Sequence, residues 1–243
     1  MRADACRDFC PVAPRVPTIK ASEPCNILVE RSYAGRMPKP KLTYFDFAGS
    51  RGEECRLALH LAGVEFEDNR IDRTTWPDLK PKTPFGSLPT FELEGKGTIA
   101  QSNAILVYLG REHGLHPRDN WQAAQHEALM CAVEDLRANV TPTLRITDAD
   151  EKKRAREELA ANYLPRWGGH VERALTGLGS GPFVTGDAIS VADLKLYIAA
   201  RWFSSGVVDH VPSTIFAEFP HLVGVERAVA AHPKVVEWYA RST

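Results

Sequence analysis

The order of short β-prone runs and helical stretches in residues 41–71 constrains the fold of this chain most. Residues 42–45 predict a strand, and residues 53–62 predict a helix because apolar side chains recur there at helical spacing. Residues 64–71 predict a second strand. A strand, a helix and a strand within about thirty residues predict a βαβ unit with parallel strands.

A hairpin and another helix follow this unit. Residues 88–93 predict a strand, Gly95-Lys96-Gly97 predicts a tight turn, and residues 98–100 predict the returning strand. A helix over residues 102–114 comes next. Residues 41–116 therefore predict a small α/β domain in the order β-α-β-β-β-α.

The rest of the chain has a helical pattern. Residues 129–140 carry an apolar stripe at helical spacing, and residues 150–164 resemble the charged face of a solvated helix. Ser190 and Asp193 fit a helix cap, with a hydroxyl at the cap and a carboxylate three residues later. We therefore expect residues 122–243 to form an all-helical domain.

Residues 1–40 differ from the rest in composition. They contain six of the 17 prolines and three of the five cysteines, with no helical or strand period. We expect a disordered leader that ends near Met37, and the sequence leaves open whether Met37 is the natural start. Arginines allow a targeting role for this leader, although its acidic residues weaken that interpretation.

Composition excludes several classes of protein. Lys and Arg number 30 and Asp and Glu 31, so the near-neutral chain lacks the basic excess typical of nucleic-acid binding. The sequence contains no run of about 18 apolar residues, so it predicts no membrane-spanning helix. The five cysteines are odd in number and contain no C-x-x-C pair, which favours free thiols and a cytoplasmic protein.

Three positions in the α/β domain suggest a binding site. Tyr44 ends the first strand, where a βαβ protein places its ligands, and its hydroxyl could donate to an anion or a thiolate. If the bond before Pro89 is cis, Leu88 exposes its backbone to an extended peptide. Gln101-Ser102 lies at a helix N-terminus that could hold a carboxylate. A packed aromatic, a trans turn proline and a helix cap are the alternatives.

Together these features resemble the cytosolic glutathione transferases, and most closely the sigma class that includes haematopoietic prostaglandin D synthases. The resemblance covers residues 41–241. It is carried by the following stretches: Leu42-Thr43-Tyr44-Phe45, Asp68-Asn69-Arg70-Ile71, Thr75-Trp76-Pro77-Asp78-Leu79-Lys80, Pro84-Phe85-Gly86-Ser87-Leu88-Pro89, Gln101-Ser102, Ser190-Val191-Ala192-Asp193 and His232-Pro233-Lys234-Val235-Val236-Glu237-Trp238.

The resemblance implies a thioredoxin-like first domain that binds glutathione as co-substrate, followed by the all-helical domain. In that family pattern Tyr44 hydrogen-bonds the glutathione sulfur. Trp76 and Lys80 hold the glycine carboxylate, and Leu88, before cis-Pro89, pairs with the cysteinyl backbone.

The same resemblance assigns the other end of the ligand. Gln101 and Ser102 bind the γ-glutamyl carboxylate, and Asp135 reaches the γ-glutamyl amine bound by a neighbouring subunit, which implies a homodimer. Arg51 takes the place of the second arginine of the family's R-G-R stretch. Ser50 is a rival for Tyr44, because other transferase classes activate the thiol with a serine in a comparable loop.

The second substrate is expected between the two domains, beside Phe45, Phe47 and Arg137. A small hydrophobic electrophile suits the resemblance. A glutathione-dependent isomerase or peroxidase and a non-catalytic structural homologue are the alternatives. Cys131 stands where related prostaglandin synthases carry an acid that binds a divalent ion, so no metal is expected. A disulfide oxidoreductase is disfavoured, since Cys55 has no second cysteine nearby.

Overall fold

A computed structural model of the protein describes residues 39–179 and 181–241. The described residues belong to one compact unit. Apart from Lys39 and Pro40, the predicted leader lies outside the described residues, so its disorder and the start at Met37 stay predictions.

One sheet of four strands confirms the βαβ unit and the hairpin. The strands are β1 (Lys41–Phe45), β2 (Glu67–Ile71), β3 (Thr90–Leu93) and β4 (Gly97–Ala100). Their order across the sheet is β2-β1-β3-β4. β1 and β2 run parallel, whereas β3 is antiparallel to both β1 and β4.

Two local predictions need correction. β2 begins at Glu67 rather than Val64, because the Val64 backbone N–H bonds the Leu59 carbonyl at 3.0 Å and so closes the preceding helix. A short helix over Trp76–Leu79 precedes the hairpin and was not predicted. Four residues that include Pro77 are too few to show a helical period.

Helices make up the remaining regular structure. Beyond β4, the described part of the chain contains helices and no further strand, which confirms the prediction of a helical second part. The helices are α1 (Ser50–Leu61), α2 (Trp76–Leu79), α3 (Ser102–His113), α4 (Asn120–Val140), α5 (Ala149–Glu158), α6 (Leu164–Leu178), α7 (Val191–Ser204), α8 (Pro220–Ala231) and α9 (Pro233–Ala240).

Helix α1 is the central element of the core. It contacts β1 and α3 of the α/β part and α7 and α9 of the helical part. Its apolar residues Leu57, Ala58 and Leu59 are fully buried, and so are the charged residues Glu54 and Arg56. A buried charge is costly unless it is paired, so each of these two side chains must have partners.

Arg56 uses its guanidinium to hold the loop that follows β1. Its Nη1 donates to the Phe47 carbonyl at 3.0 Å and its Nη2 to the Phe45 carbonyl at 3.3 Å. Its Nε donates to Asp68 Oδ1 at 2.9 Å. These bonds fix the end of β1 and the loop that follows it, which carry the predicted pocket residues Phe45 and Phe47.

The predicted cap of α7 is a complete capping box. The Ser190 hydroxyl accepts from the Asp193 N–H at 3.5 Å, and Asp193 Oδ2 accepts from the Ser190 N–H at 2.8 Å. Asp193 Oδ1 also accepts from the Val184 N–H at 2.7 Å. The box therefore ties the start of a buried helix to the loop before it.

Ser190→Ala should lower the free energy of unfolding by about 1–2 kcal/mol, the upper half of the range for a lost cap, because this cap is buried. Urea denaturation measures the change. Asp148→Ala is the matched control, since Asp148 caps α5 at an exposed site. We expect a smaller loss there. An unchanged urea midpoint for Ser190→Ala would show that this cap does not stabilise the protein.

Candidate active site

A cavity of about 590 Å³ lies between the loop after β1 and the helices α4 and α7. Its walls are aromatic and cationic, and its lining contains no carboxylate among the described residues. The aromatic lining residues are Tyr44, Phe45, Phe47 and Trp202, and the cationic ones are Arg51, Arg73, Arg137 and Arg201. The structure thus brings together the predicted Tyr44, Phe45, Phe47, Arg51 and Arg137.

Tyr44 lines this cavity and is buried. Its ring packs directly on Gly52, where a Cβ atom would stand 2.1 Å from the ring, so only glycine fits there. Burial raises the pKa of the Tyr44 hydroxyl, although a hydrogen bond with Ser50 and the charges of Arg51 and Arg137 oppose this shift. The phenol therefore keeps its proton at neutral pH and can act as a hydrogen-bond donor.

Ser50, the rival of Tyr44, is also part of the cavity lining. It is the first residue of α1 and has a φ of 55°, a left-handed conformation that is uncommon outside glycine. Its side chain hydrogen-bonds Tyr44. The two hydroxyls are therefore neighbours, and position alone does not separate the two schemes of thiol activation.

Glu134 is not part of the cavity lining, but it pairs with two arginines that are. It accepts from Arg51 Nη2 at 2.6 Å and from Arg137 Nη1 at 2.9 Å. Burial acts to raise the pKa of Glu134, but the charges of Lys195, Arg137 and Arg51 outweigh it and lower this pKa to about 2. Glu134 is therefore an anion across the physiological range.

Glu54 and Lys195 extend this ion network into the core. Arg137 Nη2 also donates to Glu54 Oε1, and Lys195 Nζ donates to Glu54 Oε2 at 3.1 Å. Lys195 Nζ reaches Glu134 Oε1 at 2.6 Å. Attraction to Glu54 and Glu134 overcomes burial and raises the pKa of Arg137. The network joins α1 to α4 and α7.

Ser102 lies at the far end of the network. It is buried, and its hydroxyl is 3.2 Å from Lys195 Nζ. The capping interpretation of Ser102 is wrong: the cap residue of α3 is Gln101, which has a φ of 73°, and the Gln101 side chain makes no hydrogen bond to the helix start. The N–H groups at the start of α3 thus remain open to an acceptor.

The remaining predicted glutathione residues lie between β2 and β3. The Leu88–Pro89 bond is cis, as expected for an exposed Leu88 backbone. The Trp76 ring packs edge-on against Phe45, with ring centroids 5.9 Å apart, and so adjoins the cavity wall. Lys80 is exposed, and its side chain lies beside Gly86.

Asp135 is not brought to the cavity. It is exposed and lines a separate groove of about 660 Å³ between α4 and α6. Its neighbour Glu134 points instead toward Arg137 and Lys195, because each step along a helix rotates the side chain by about 100°. Within one subunit Asp135 therefore cannot take part in the network around Glu134.

Sequence reasoning missed Arg73, Arg201, Glu54 and Lys195. The guanidinium of Arg73 lies 5.1 Å from the centroid of the Phe45 ring, and that of Arg201 lies 4.4 Å from the Tyr239 ring. For Lys195 a signal existed, since it is the one cation inside the apolar run Val191–Ala200. A cation in such a run, beyond the capping residue Asp193, indicates a buried ion pair.

No cysteine is among the described residues that line this cavity. Cys55 is buried, and burial raises the pKa of its thiol, so it is not a nucleophile. In the described ranges no three His, Cys, Asp or Glu side chains are grouped so that they could hold a metal ion. Within the same ranges, no helix combines the length and apolar character needed to cross a bilayer.

Comparisons with known proteins agree with the resemblance. The N-terminal domain model of glutathione S-transferases matches residues 40–111, and a C-terminal domain model of the same family matches residues 134–242. Glutathione S-transferase 1 of Ascaris suum is 35% identical over 206 residues, which cover 82% of this chain and 98% of the relative.

Two further relatives agree with this match. Hematopoietic prostaglandin D synthase of Gallus gallus is 30% identical over 202 residues, covering 83% of this chain and 96% of the relative. The crystal structure of a glutathione S-transferase from Ascaris lumbricoides superimposes with a TM-score of 0.74 at 32% identity, covering 85% of this chain and 98% of that one. This chain belongs to the glutathione S-transferase family.

Proposed function

We propose that the protein binds glutathione, activates its thiol as a thiolate through a hydrogen bond from Tyr44, and conjugates it to small hydrophobic electrophiles. The carrying observation is the buried Tyr44 in the lining of a cationic cavity, where burial raises the pKa of its hydroxyl and so leaves it a hydrogen-bond donor. A donated hydrogen bond favours the charged form of the thiol and so lowers its pKa. Thiolate is the nucleophilic form.

Residues 41–116 would bind glutathione, and residues 122–243 would supply the rest of the cavity. The proposed contacts follow the family pattern at Tyr44, Arg51, Trp76, Lys80, Leu88, Pro89, Gln101 and Ser102. The open N-terminus of α3 supports a carboxylate at Gln101 and Ser102. The cis bond before Pro89 supports pairing with the Leu88 backbone.

The second substrate would occupy the cavity beside Phe45, Phe47 and Arg137. Aromatic walls suit an apolar electrophile. When a thiolate adds to an electron-poor ring, negative charge develops on that ring, and the arginines of the lining could stabilise it. Isomerisation of a prostaglandin endoperoxide is the second candidate, favoured by the relative named as a prostaglandin D synthase.

A conjugation assay tests this function. Glutathione and 1-chloro-2,4-dinitrobenzene are followed by absorbance with and without the protein, alongside retention on a glutathione column. We expect retention and a rate well above the uncatalysed reaction. Retention without turnover of an aryl halide, a conjugated enone or a hydroperoxide would instead favour the non-catalytic homologue. The proposed glutathione transferase activity fits a cytoplasmic setting, where glutathione is abundant and thiols stay reduced.

A homodimer is proposed as the functional unit. The groove between α4 and α6 is open and largely apolar, and Asp135 lies in its lining. The Phe85 side chain is 70% exposed, which is unusual for a large apolar residue and suits burial against a second subunit. In that arrangement Asp135 would meet the γ-glutamyl amine of glutathione bound by the other subunit.

Asp135→Ala should weaken glutathione binding roughly 10-fold or more, because a charge-assisted bond to the ammonium is worth about 1.5–3 kcal/mol. Isothermal titration measures the affinity, and light scattering should show a dimer. Asn139→Ala, one turn further along α4 and also exposed, is the uncharged control. A monomer with normal glutathione affinity would contradict the trans contact.

A further inference from the structure

We propose that Lys195 is a positioning residue that fixes the Ser102 hydroxyl as a hydrogen-bond donor toward the γ-glutamyl carboxylate of glutathione. This inference rests on the proposed function, because it assumes that glutathione binds at the N-terminus of α3. Lys195 itself does not touch the ligand. It acts through Ser102, one residue away in the network.

The direction of the hydrogen bond carries the argument. The Lys195 side chain is fully buried, and an ammonium can only donate. Its three hydrogens match three acceptors: Glu134 Oε1 at 2.6 Å, Glu54 Oε2 at 3.1 Å and Ser102 Oγ at 3.2 Å. The Ser102 oxygen must therefore accept from Lys195, and its own hydrogen must point elsewhere.

No acceptor for that hydrogen is found among the described residues. Ser102 is nevertheless buried, so a hydroxyl hydrogen left without a partner would cost free energy. A carboxylate is the natural partner, because it only accepts and because the adjoining N–H groups of α3 also favour an anion. Lys195 thus prepares Ser102 for an anionic ligand before the ligand arrives.

The charge of the network points to the same ligand. Lys195, Arg137 and Arg51 carry three positive charges, whereas Glu54 and Glu134 carry two negative ones, which leaves one positive charge in excess. Buried charges are tolerated when they are balanced by partners. The excess lies with Arg51, whose side chain is one-third exposed in the cavity lining, so an anion that binds beside the network meets a net positive charge.

A purely structural role for Lys195 makes a different prediction. If Lys195 only ties α7 to α1 and α4, its loss should weaken every ligand of the site to the same extent. If it positions Ser102, its loss should weaken only ligands that carry the γ-glutamyl carboxylate. The two roles are separated by comparing glutathione with a peptide that lacks this one group.

The experiment compares the affinities of glutathione and 4-aminobutyryl-cysteinyl-glycine, which lacks only the γ-glutamyl carboxylate, by isothermal titration. The main variant is Lys195→Met with Glu54→Gln, because removing one charge of each sign keeps the balance of the buried network. Lys195→Gln is the second variant if the first does not fold. Lys234→Met is the control. The ammonium of Lys234 donates to the Leu61 carbonyl at 2.7 Å and not to Ser102.

We expect the native protein to prefer glutathione and the Lys195 variants to lose at least 10-fold of this preference, with affinity for the truncated peptide changed less than 2-fold. The control should keep the preference. Equal losses for both peptides, or an unchanged preference, would overturn the positioning role while leaving glutathione binding intact. A native protein that binds glutathione and the truncated peptide equally well would also overturn it. If the native protein binds no glutathione, the proposed function itself fails.

Discussion

Turnover of glutathione and an aryl halide near neutral pH is expected to fall roughly 10-fold to 100-fold when Tyr44 is replaced by Phe. The replacement keeps the ring on Gly52 but deletes the hydrogen-bond donor. One such bond to a charged acceptor is worth about 1.5–3 kcal/mol, or one to two units in the pKa of the bound thiol. The same free energy converts to this loss of rate.

Two measurements check the role of Tyr44. Thiolate absorbance of the glutathione complex should titrate at higher pH in Tyr44→Phe, whereas glutathione affinity should change little. Ser50→Ala is the matched control, since it removes the hydroxyl next to Tyr44 and should have a much smaller effect. If instead Ser50→Ala raises the pKa of the bound thiol and Tyr44→Phe does not, the serine is the activating group.

Glu54→Ala should lower the free energy of unfolding by about 3–5 kcal/mol, the usual cost of removing one partner from a buried ion pair. The Glu54 and Lys195 side chains are both fully buried, and Glu54 also accepts from Arg137. Its loss leaves two buried cations with too few partners. Guanidinium denaturation followed by circular dichroism measures the change.

Two variants show whether burial causes this effect. Glu157→Ala breaks an exposed pair with Lys153 at 3.9 Å and should cost less than about 1 kcal/mol. Glu54→Leu combined with Lys195→Met replaces two buried charges by apolar groups and should recover much of the stability. A loss below 1 kcal/mol for Glu54→Ala alone would mean that water or movement of the helices compensates the cations.

Local patterns accounted for the order of elements in the α/β part. Turn glycines and apolar periodicity act within a few residues, so the β-α-β-β-β-α order could be predicted, apart from α2 and the start of β2. The capping box of α7 was predictable for the same reason, because Ser190 and Asp193 meet within one turn of a helix. The family resemblance added the predicted site residues.

Contacts between residues that are far apart in the sequence could not be predicted. Glu54 and Lys195 are 141 positions apart, and Lys195 and Ser102 are 93 apart, so nothing local pairs them. Each is an ordinary charged or polar residue until α1, α3, α4 and α7 pack together. Packing removes water from all of them at once, and their partners then decide whether the charges can stay.

The sequence by itself determined the strands, the main helices, the capping box and the family pattern at Tyr44, Gln101 and Ser102, because these depend on neighbours along the chain. Only the tertiary structure decided that Tyr44 and Ser50 share one hydrogen bond, that Glu134 meets Lys195 while Asp135 faces the α4–α6 groove, and that Lys195 donates to Ser102. Those outcomes depend on how helices are rotated against one another, and that rotation is set by the packing of the whole core.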